Sequence, residues 1–232
     1  MDSFADHVHL ICSLYFENNA LQSLPDDFCG SFPSLTSLTL SHNQLQALPP
    51  GIGQCASLEF LNLSYNRFAS LPDDFADVLK TLRVLVVSGN PLFKLPDCVF
   101  SSSVLQELYA SQTGLEALPD VFPEHGELTV LHLGDNAICR LPPSFAKLTQ
   151  LVDLDLMGVK WIEPQDSKTS VTVATFSTFV NANPLLERID KKVCNYKRCF
   201  YFYSSLHCGT ISVCCCGVRK TRALSLPSFT DT

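Results

Sequence analysis

The stretch from Leu58 to Phe75 reads LEFLNLSYNRFASLPDDF, and a closely similar stretch, LTSLTLSHNQLQALPPGI, occupies Leu35 to Ile52. Each places three leucines before an asparagine at its ninth position and a Leu-Pro pair after it. The pattern recurs with starts 23 or 24 residues apart, at Ile11, Leu35, Leu58, Leu82, Leu105, Leu128 and Leu151. Seven units in register exclude a chance match, so the chain is built from an internal repeat.

The leucines of one unit line one face of a short strand, because side chains alternate between the two faces. A single unit cannot bury that face, whereas stacked units share a continuous core. The returning limb contains Leu-Pro, and proline cannot donate a hydrogen bond to a strand ladder. The pattern therefore predicts an α/β leucine-rich-repeat solenoid of about seven repeats plus caps. We expect a curved parallel sheet on its concave face and an irregular or short helical convex limb.

The asparagine is explained by the turn after each strand, where backbone groups inside the solenoid need hydrogen-bond partners. A side-chain amide both donates and accepts, so it can bond to its own coil and to a neighbour. We expect this ladder to consist of Asn19, Asn43, Asn66, Asn90 and Asn136. Thr113 replaces the asparagine in unit five and predicts a weak point. Val159 replaces it in unit seven, so we expect the solenoid to end there.

The first repeat start and the end of the repeat pattern divide the chain into four parts. We predict an N-terminal cap at 1–10, repeats at 11–162, a C-terminal cap with a helix at 163–190, and a basic, cysteine-rich tail at 191–232.

Charge is unevenly distributed along the chain. Residues up to 190 hold nine Lys/Arg against 22 Asp/Glu, and the tail holds seven against one. An acidic body argues against nucleic acid as a partner, because phosphate neutralisation needs a basic face.

The cysteines predict a reducing compartment. Their number, eleven, is odd. Five lie in the repeats at five different positions of the unit and suggest no regular disulfide framework: Cys12, Cys29, Cys55, Cys98 and Cys139. The N-terminal residues also lack the basic segment and cleavage site of a signal peptide. We therefore expect a cytoplasmic protein.

The spelling L-x-x-L-x-L-x-x-N-x-L-x-x-L-P, over about residues 11–162, resembles the intracellular leucine-rich-repeat family. It is most similar to the Ras-group scaffolds and Ras-suppressor-like proteins. The resemblance implies a protein-binding scaffold in intracellular signalling, whose partner would be a small GTPase or a phosphatase-type signalling protein. It carries over no catalytic residue, because the motif positions are core positions.

No pattern of catalytic or cofactor-binding residues accompanies the repeats. Gly51 and Gly53 lack the lysine that a phosphate-binding loop requires, and His7 and His9 lack further ligands at metal-binding spacing. We predict a protein that is not an enzyme and that holds no cofactor and no metal. One alternative stays open, in which the repeats are the recognition arm of a longer enzyme.

The tail allows several interpretations. Residues 199–218 are uncharged and flanked by basic residues, so they are just long enough to span a bilayer. Cys214, Cys215 and Cys216 beside basic residues are candidates for palmitoylation, which would tether an adaptor to a membrane. Ser225 lies three residues after an arginine and is a candidate phosphorylation site. The simplest interpretation is an unpacked tail without a site of its own.

Outward-facing strand positions are where we expect the partner to bind, since they alternate with the buried leucines. None of these positions holds Lys or Arg, and five are acidic: Glu17, Glu107, Asp135, Asp153 and Asp155. An exposed apolar centre with an acidic side would fit a partner with an apolar patch and a basic flank. The candidates are Tyr15, Phe60, Tyr65, Val84, Val86, Glu107, Tyr109, His132, Asp135, Asp153 and Asp155.

Overall fold

A single parallel sheet runs through the repeats. The structure, a computed structural model, describes residues 8–159 and, beyond them, the backbone of 188–189, 192–195, 198–204 and 211–215. Each unit contributes one three-residue strand: β1 Ser13–Tyr15, β2 Ser37–Thr39, β3 Phe60–Asn62, β4 Val84–Val86, β5 Glu107–Tyr109, β6 Val130–His132 and β7 Asp153–Asp155. They pair in chain order, and an eighth strand, β8 (Arg188–Ile189), pairs in parallel with β7. The repeat pattern did not predict β8.

The opposite limb carries short helices, as the Leu-Pro positions predict. They are α1 (Phe28–Ser31), α2 (Phe75–Val78) and α3 (Asp97–Ser101), with 3-10 helices at Ile52–Gln54 and Pro143–Lys147. Alternation along each strand turns the central leucine towards this limb. We call the other face of the sheet the concave face. The predicted solenoid fold is confirmed.

The core lies between the sheet and the helical limb. The central strand leucines of β2 to β7 are at most 1% exposed, and the limb closes over them with Phe28, Phe75, Phe122 and Phe145. Units stacked on both sides therefore bury their leucines completely, as the solenoid model requires. The first unit is less protected, because Leu14 is only partly buried and Leu10 is 63% exposed.

Buried asparagines connect neighbouring coils, as predicted. Asn66 Nδ2 lies 2.8 Å from the Leu40 carbonyl oxygen and 3.0 Å from that of Leu63, and its Oδ1 accepts from the Leu45 N–H. Asn43, Asn90 and Asn136 bond in the same way. Asn19 is exposed and donates only to carbonyl groups of its own unit.

The substitution at Thr113 changes the ladder locally. Asn136 Oδ1 accepts from the Thr113 and Leu115 N–H groups, so the following unit compensates for part of the loss. In the preceding unit, the Leu92 N–H turns to the nearby Asn90 carbonyl instead of a side-chain amide. The missing amide therefore affects the preceding coil more than its own. Val159 is fully buried among apolar residues.

Cys29 and Cys55 form a disulfide with an S–S distance of 2.11 Å. The expectation that these two cysteines are reduced is therefore wrong for the structure. They occupy different places in the repeat, but Cys29 lies in α1 and Cys55 directly follows a 3-10 helix. The limbs of the two units differ in shape, and this brings the two residues to a Cα–Cα distance of 5.1 Å.

Part of the tail forms a second, antiparallel sheet, which the sequence did not predict. Its strands are β9 (Lys192–Asn195), β10 (Arg198–Ser204) and β11 (Ile211–Cys215), with β10 in the middle. Cys214 and Cys215 lie in β11, whereas Cys216, Ser225 and most of the predicted cap at 163–190 lie outside the described residues. Among the residues described, no helix is long and apolar enough to cross a bilayer.

Candidate partner-binding surface

The register of the sheet sorts the concave face into two rows. The entry row contains the first residue of each strand from β1 to β7: Ser13, Ser37, Phe60, Val84, Glu107, Val130 and Asp153. Arg188 of β8 stands next to Asp153 in the register. The exit row contains the third residue: Tyr15, Thr39, Asn62, Val86, Tyr109, His132 and Asp155. Neighbours within a row are about 4.8 Å apart, the spacing of paired strands. Nine of the eleven predicted residues lie in these rows.

The middle of the face is apolar. Phe60 and Val84 are neighbours in the entry row, and Val86 and Tyr109 are neighbours in the exit row. Phe60 and Tyr109 were expected to be exposed, and they are half-buried. Side chains on the two adjacent strands of the sheet cover the sides of each ring and leave only one side open. The predicted apolar centre is present, but it offers less ring surface to a partner.

Four polar side chains gather at the C-terminal part of the face. The Tyr109 hydroxyl donates to Glu107 Oε2 at 2.8 Å, so the ring extends back along β5 towards the entry row. The His132 ring meets the Tyr109 ring edge to face, with the centroids 4.9 Å apart. His132 Nε2 lies 3.5 Å from Asp153 Oδ2. We call Glu107, Tyr109, His132 and Asp153 the polar cluster.

Tyr109 keeps its proton over a wide pH range. Burial is the main cause that raises its pKa to about 12, and the hydrogen bond to Glu107 acts in the same direction. The charges of Glu107 and Asp153 also raise this pKa, because a phenolate beside carboxylates would be repelled. Tyr109 therefore acts as a neutral donor at physiological pH, and Glu107 is its acceptor.

Of three further predicted residues, one lies at the edge of the exit row and two lie beyond it. Tyr15 belongs to the exit row at the N-terminal edge of the sheet and is 66% exposed. Tyr65 follows β3 in the left-handed region and stacks on His42, with the centroids 4.5 Å apart. Asp135 has the same backbone conformation after β6 and accepts from Gln112 Nε2 at 3.3 Å. Tyr65 and Asp135 thus belong to the turns beyond the exit row.

Phe93 is a surface residue that the sequence reasoning missed. It adopts a positive φ of 52° and is 61% exposed, and its ring lies close to Gly114. Two local features explain this position. Pro91 has no N–H to donate, and Thr113 provides no amide oxygen for the Leu92 N–H. Pro91 and Thr113 can both be read from the sequence, and they occupy the two repeat positions that normally stabilise this turn.

Within residues 8–159, no three His, Cys, Asp or Glu side chains are grouped so that they could hold a metal ion. The polar cluster contains two carboxylates, a hydroxyl and two aromatic rings.

Comparison with known proteins agrees with the repeat. A family model described as "Leucine rich repeat" matches residues 11–68. Lumican of Gallus gallus is 38% identical over 61 residues, which cover 25% of this chain and 18% of lumican. Osteomodulin of Bos taurus is 37% identical over 54 residues, which cover 23% of this chain and 13% of osteomodulin. The chain thus aligns with less than a fifth of the length of these relatives.

Solved structures resemble the chain over a longer stretch. The structure titled "Crystal structure of TLR13-ssRNA13 complex" has a TM-score of 0.56 and 32% identity, and covers 68% of this chain and 23% of its own. A leucine-rich-repeat protein of Leptospira interrogans has a TM-score of 0.55 and 25% identity, with 76% and 47% covered. The structure titled "Crystal structure of PEPR1-AtPEP1" has a TM-score of 0.55 and 26% identity, with 66% and 22% covered.

Proposed function

We propose that the chain is a non-catalytic module that binds a protein partner on its concave face. The observation that carries this proposal is the arrangement of the two rows. They place an apolar centre at Phe60, Val84 and Val86 beside an acidic side that begins at Glu107. A partly apolar, well-packed centre with a polar surround is the usual composition of a protein-binding hot spot.

A protein fits this face better than a nucleic acid does. From β1 to β7, neither row contains Lys or Arg, while Glu107, Asp153 and Asp155 carry carboxylates. Nucleic-acid binding relies on cations that neutralise phosphates. A similar solved structure is titled as a complex with ssRNA, and the acidic rows are the reason that we do not extend this ligand to the present chain.

The more specific form of the proposal is a scaffold in intracellular signalling, with a small GTPase or a phosphatase-type signalling protein as its partner. Its support is the resemblance of the repeat spelling. A cytoplasmic location belongs to the same proposal. The disulfide between Cys29 and Cys55 counts against this location, because reducing compartments keep most thiols reduced.

Affinity capture from cells, with the bound proteins identified by mass spectrometry, tests the concave face. We expect a Phe60→Ala/Tyr109→Ala double variant to lose the proteins that the wild type captures, because both rings belong to the rows. Phe93→Ala is the matched control, since it removes an exposed ring outside the rows. Circular dichroism checks that the variants are folded. Full capture by the folded double variant would show that partners bind elsewhere.

A further inference from the structure

A second group of exposed side chains lies beyond the exit row, between the ends of the strands and the Leu-Pro pairs of units two to four. Phe93 is 61% exposed and Tyr65 is 49% exposed. Pro91 and the basic residues Arg67 and Lys94 are exposed as well. We call this group the aromatic edge, and it consists of His42, Tyr65, Arg67, Pro91, Phe93 and Lys94.

The Tyr65 ring lies against a glycine of the next coil. It stacks on His42, and a Cβ atom on Gly89 would lie 2.6 Å from Tyr65 Cδ1. Gly89 has a positive φ, but Tyr65 and Gln112 adopt the same conformation at the equivalent position of their units, with φ of 54° and 57°. The backbone therefore does not require glycine at this position, whereas the Tyr65 ring does.

The Phe93 ring lies against Gly114 in a similar way, because a Cβ atom there would lie 3.0 Å from Phe93 Cδ1. Arg67, Pro91 and Gly114 each follow the ninth position of their units. They are therefore neighbours in stacked coils, about 4.8 Å apart. The edge thus places a cation, a proline ring and an exposed aromatic ring side by side, in that order.

The charge of the edge is opposite to that of the concave rows. No Asp or Glu occurs in 42–49, 65–72 or 89–96, the segments that carry the edge. Arg67 and Lys94 form no ion pair with any residue that the structure describes. Both cations are therefore available to a partner.

We propose that the aromatic edge binds an acidic peptide segment of a protein partner, in which one aromatic side chain is flanked by carboxylates. The aromatic side chain would pack on Phe93 and Pro91, because offset and edge-to-face pairs of rings are favourable. The flanking carboxylates would meet Arg67 and Lys94. Rings that are held in place before binding lose little conformational freedom on contact. This inference goes beyond the proposed function, since the edge is a different surface from the rows.

Single-stranded nucleic acid also uses aromatic rings and cations, but a peptide fits the edge better. A nucleic-acid strand is followed along its length by a positively charged groove. On the edge, the two cations belong to units three and four, and later units place Glu116 at the position of Phe93 and Asp135 at that of Tyr65. These carboxylates would repel a continuing phosphate backbone, whereas a short acidic segment needs only the two cations.

Peptide titration of the full chain tests the edge directly. The probe is the acetylated and amidated peptide Glu-Glu-Phe-Glu-Glu, and nuclear magnetic resonance follows the ring protons of Tyr65 and Phe93. We expect saturable shifts with the probe. Gln-Gln-Phe-Gln-Gln should bind about fivefold more weakly, because it loses two exposed ion pairs. Glu-Glu-Ala-Glu-Glu should bind about tenfold more weakly, because it loses the ring contact. An oligouridylate is the nucleic-acid control.

Two matched double variants separate the edge from net charge. Arg67→Gln/Lys94→Gln should weaken binding of the probe about fivefold. Lys80→Gln/Lys147→Gln removes the same charge from the helical limb and should leave binding unchanged. Equal weakening by the two variants would overturn the proposal, as would equal binding of the uncharged peptide or tighter binding of the oligouridylate.

A single variant tests the ring. Phe93→Ala should weaken binding of the probe about tenfold, and Leu10→Ala, which removes another exposed apolar side chain, should leave it unchanged. Unchanged binding to folded Phe93→Ala, or no shift at Phe93 in the wild type, would also overturn the proposal. Proteins that the concave rows hold should be retained by Phe93→Ala in the capture experiment, so the two surfaces are judged separately.

Discussion

Replacing Asn66 by alanine is the sharpest test of the asparagine ladder. The side chain is 6% exposed, and its amide bonds to the preceding coil and to its own coil. After truncation, the Leu45 N–H loses its acceptor at Asn66 Oδ1, which lies 3.0 Å away. The Leu40 carbonyl keeps a donor at Asn43 Nδ2, and the Leu63 carbonyl keeps one at Asn90 Nδ2. Only one buried backbone group is therefore left without a partner among the bonds of the ladder.

This count sets the size of the effect. A buried N–H group without a partner costs about 1–3 kcal/mol, and the weakened bonds at the two carbonyl groups add to it. We expect Asn66→Ala to lower the free energy of unfolding by about 2–3 kcal/mol. In a domain of this size, each kcal/mol lowers the melting temperature by about 2–4 °C. The expected decrease is therefore about 4–12 °C.

Asn19→Ala is the matched control. Asn19 is exposed and makes two bonds, to the carbonyl groups of Phe16 and Glu17 in its own unit. Water can replace these bonds, so we expect a loss below about 1 kcal/mol. Urea denaturation followed by circular dichroism measures both variants. Equal losses in the two variants would refute the ladder as the source of the stability.

Two further predictions concern the disulfide and Tyr109. The Cys29–Cys55 bond closes a loop with a sequence separation of 26, so reduction should lower the stability by about 3.5 kcal/mol in the chain-entropy model. Urea denaturation with and without reductant measures this loss of stability, and unchanged stability would contradict a stabilising role of the disulfide. Rapid thiol trapping in intact cells shows whether the disulfide exists in the cell. Burial raises the pKa of Tyr109 to about 12, so its contribution to stability is complete below about pH 10 and decreases as the pH rises towards 12. In absorbance titration, Tyr109→Phe should remove one late-ionising tyrosine, and an unchanged late step would disprove the assignment.

The fold was predictable because the repeat fixes the strand positions. A period of 23 or 24 residues places one strand in each unit, and alternation of side chains then assigns the buried leucines and the two rows. The asparagine ladder was predictable for the same reason, since each turn has the same unsatisfied backbone groups. Phe60, Val84 and Glu107 were assigned to the concave face on this basis, and the register places them in one row.

Contacts that depend on differences between units were not predictable. The disulfide requires the limbs of units one and two to differ in shape, and the repeat gives only their average. Half-burial of Phe60 and Tyr109 depends on the side chains at the neighbouring strands, which the position in the repeat does not specify. The β8 strand lies after the last repeat, where no periodic pattern remains to assign it.

The substitution at Thr113 shows how one such difference affects the surface. The asparagine position belongs to one repeat, but its amide also bonds to the preceding coil. Thr113 itself is compensated by Asn136, so the expected weakness in unit five moves to the turn of unit four. There, the Leu92 N–H bonds to Asn90 and Phe93 turns outwards. A gap in the ladder therefore changes the surface one unit before the substituted residue, and surface residues of a solenoid must be assigned from pairs of units.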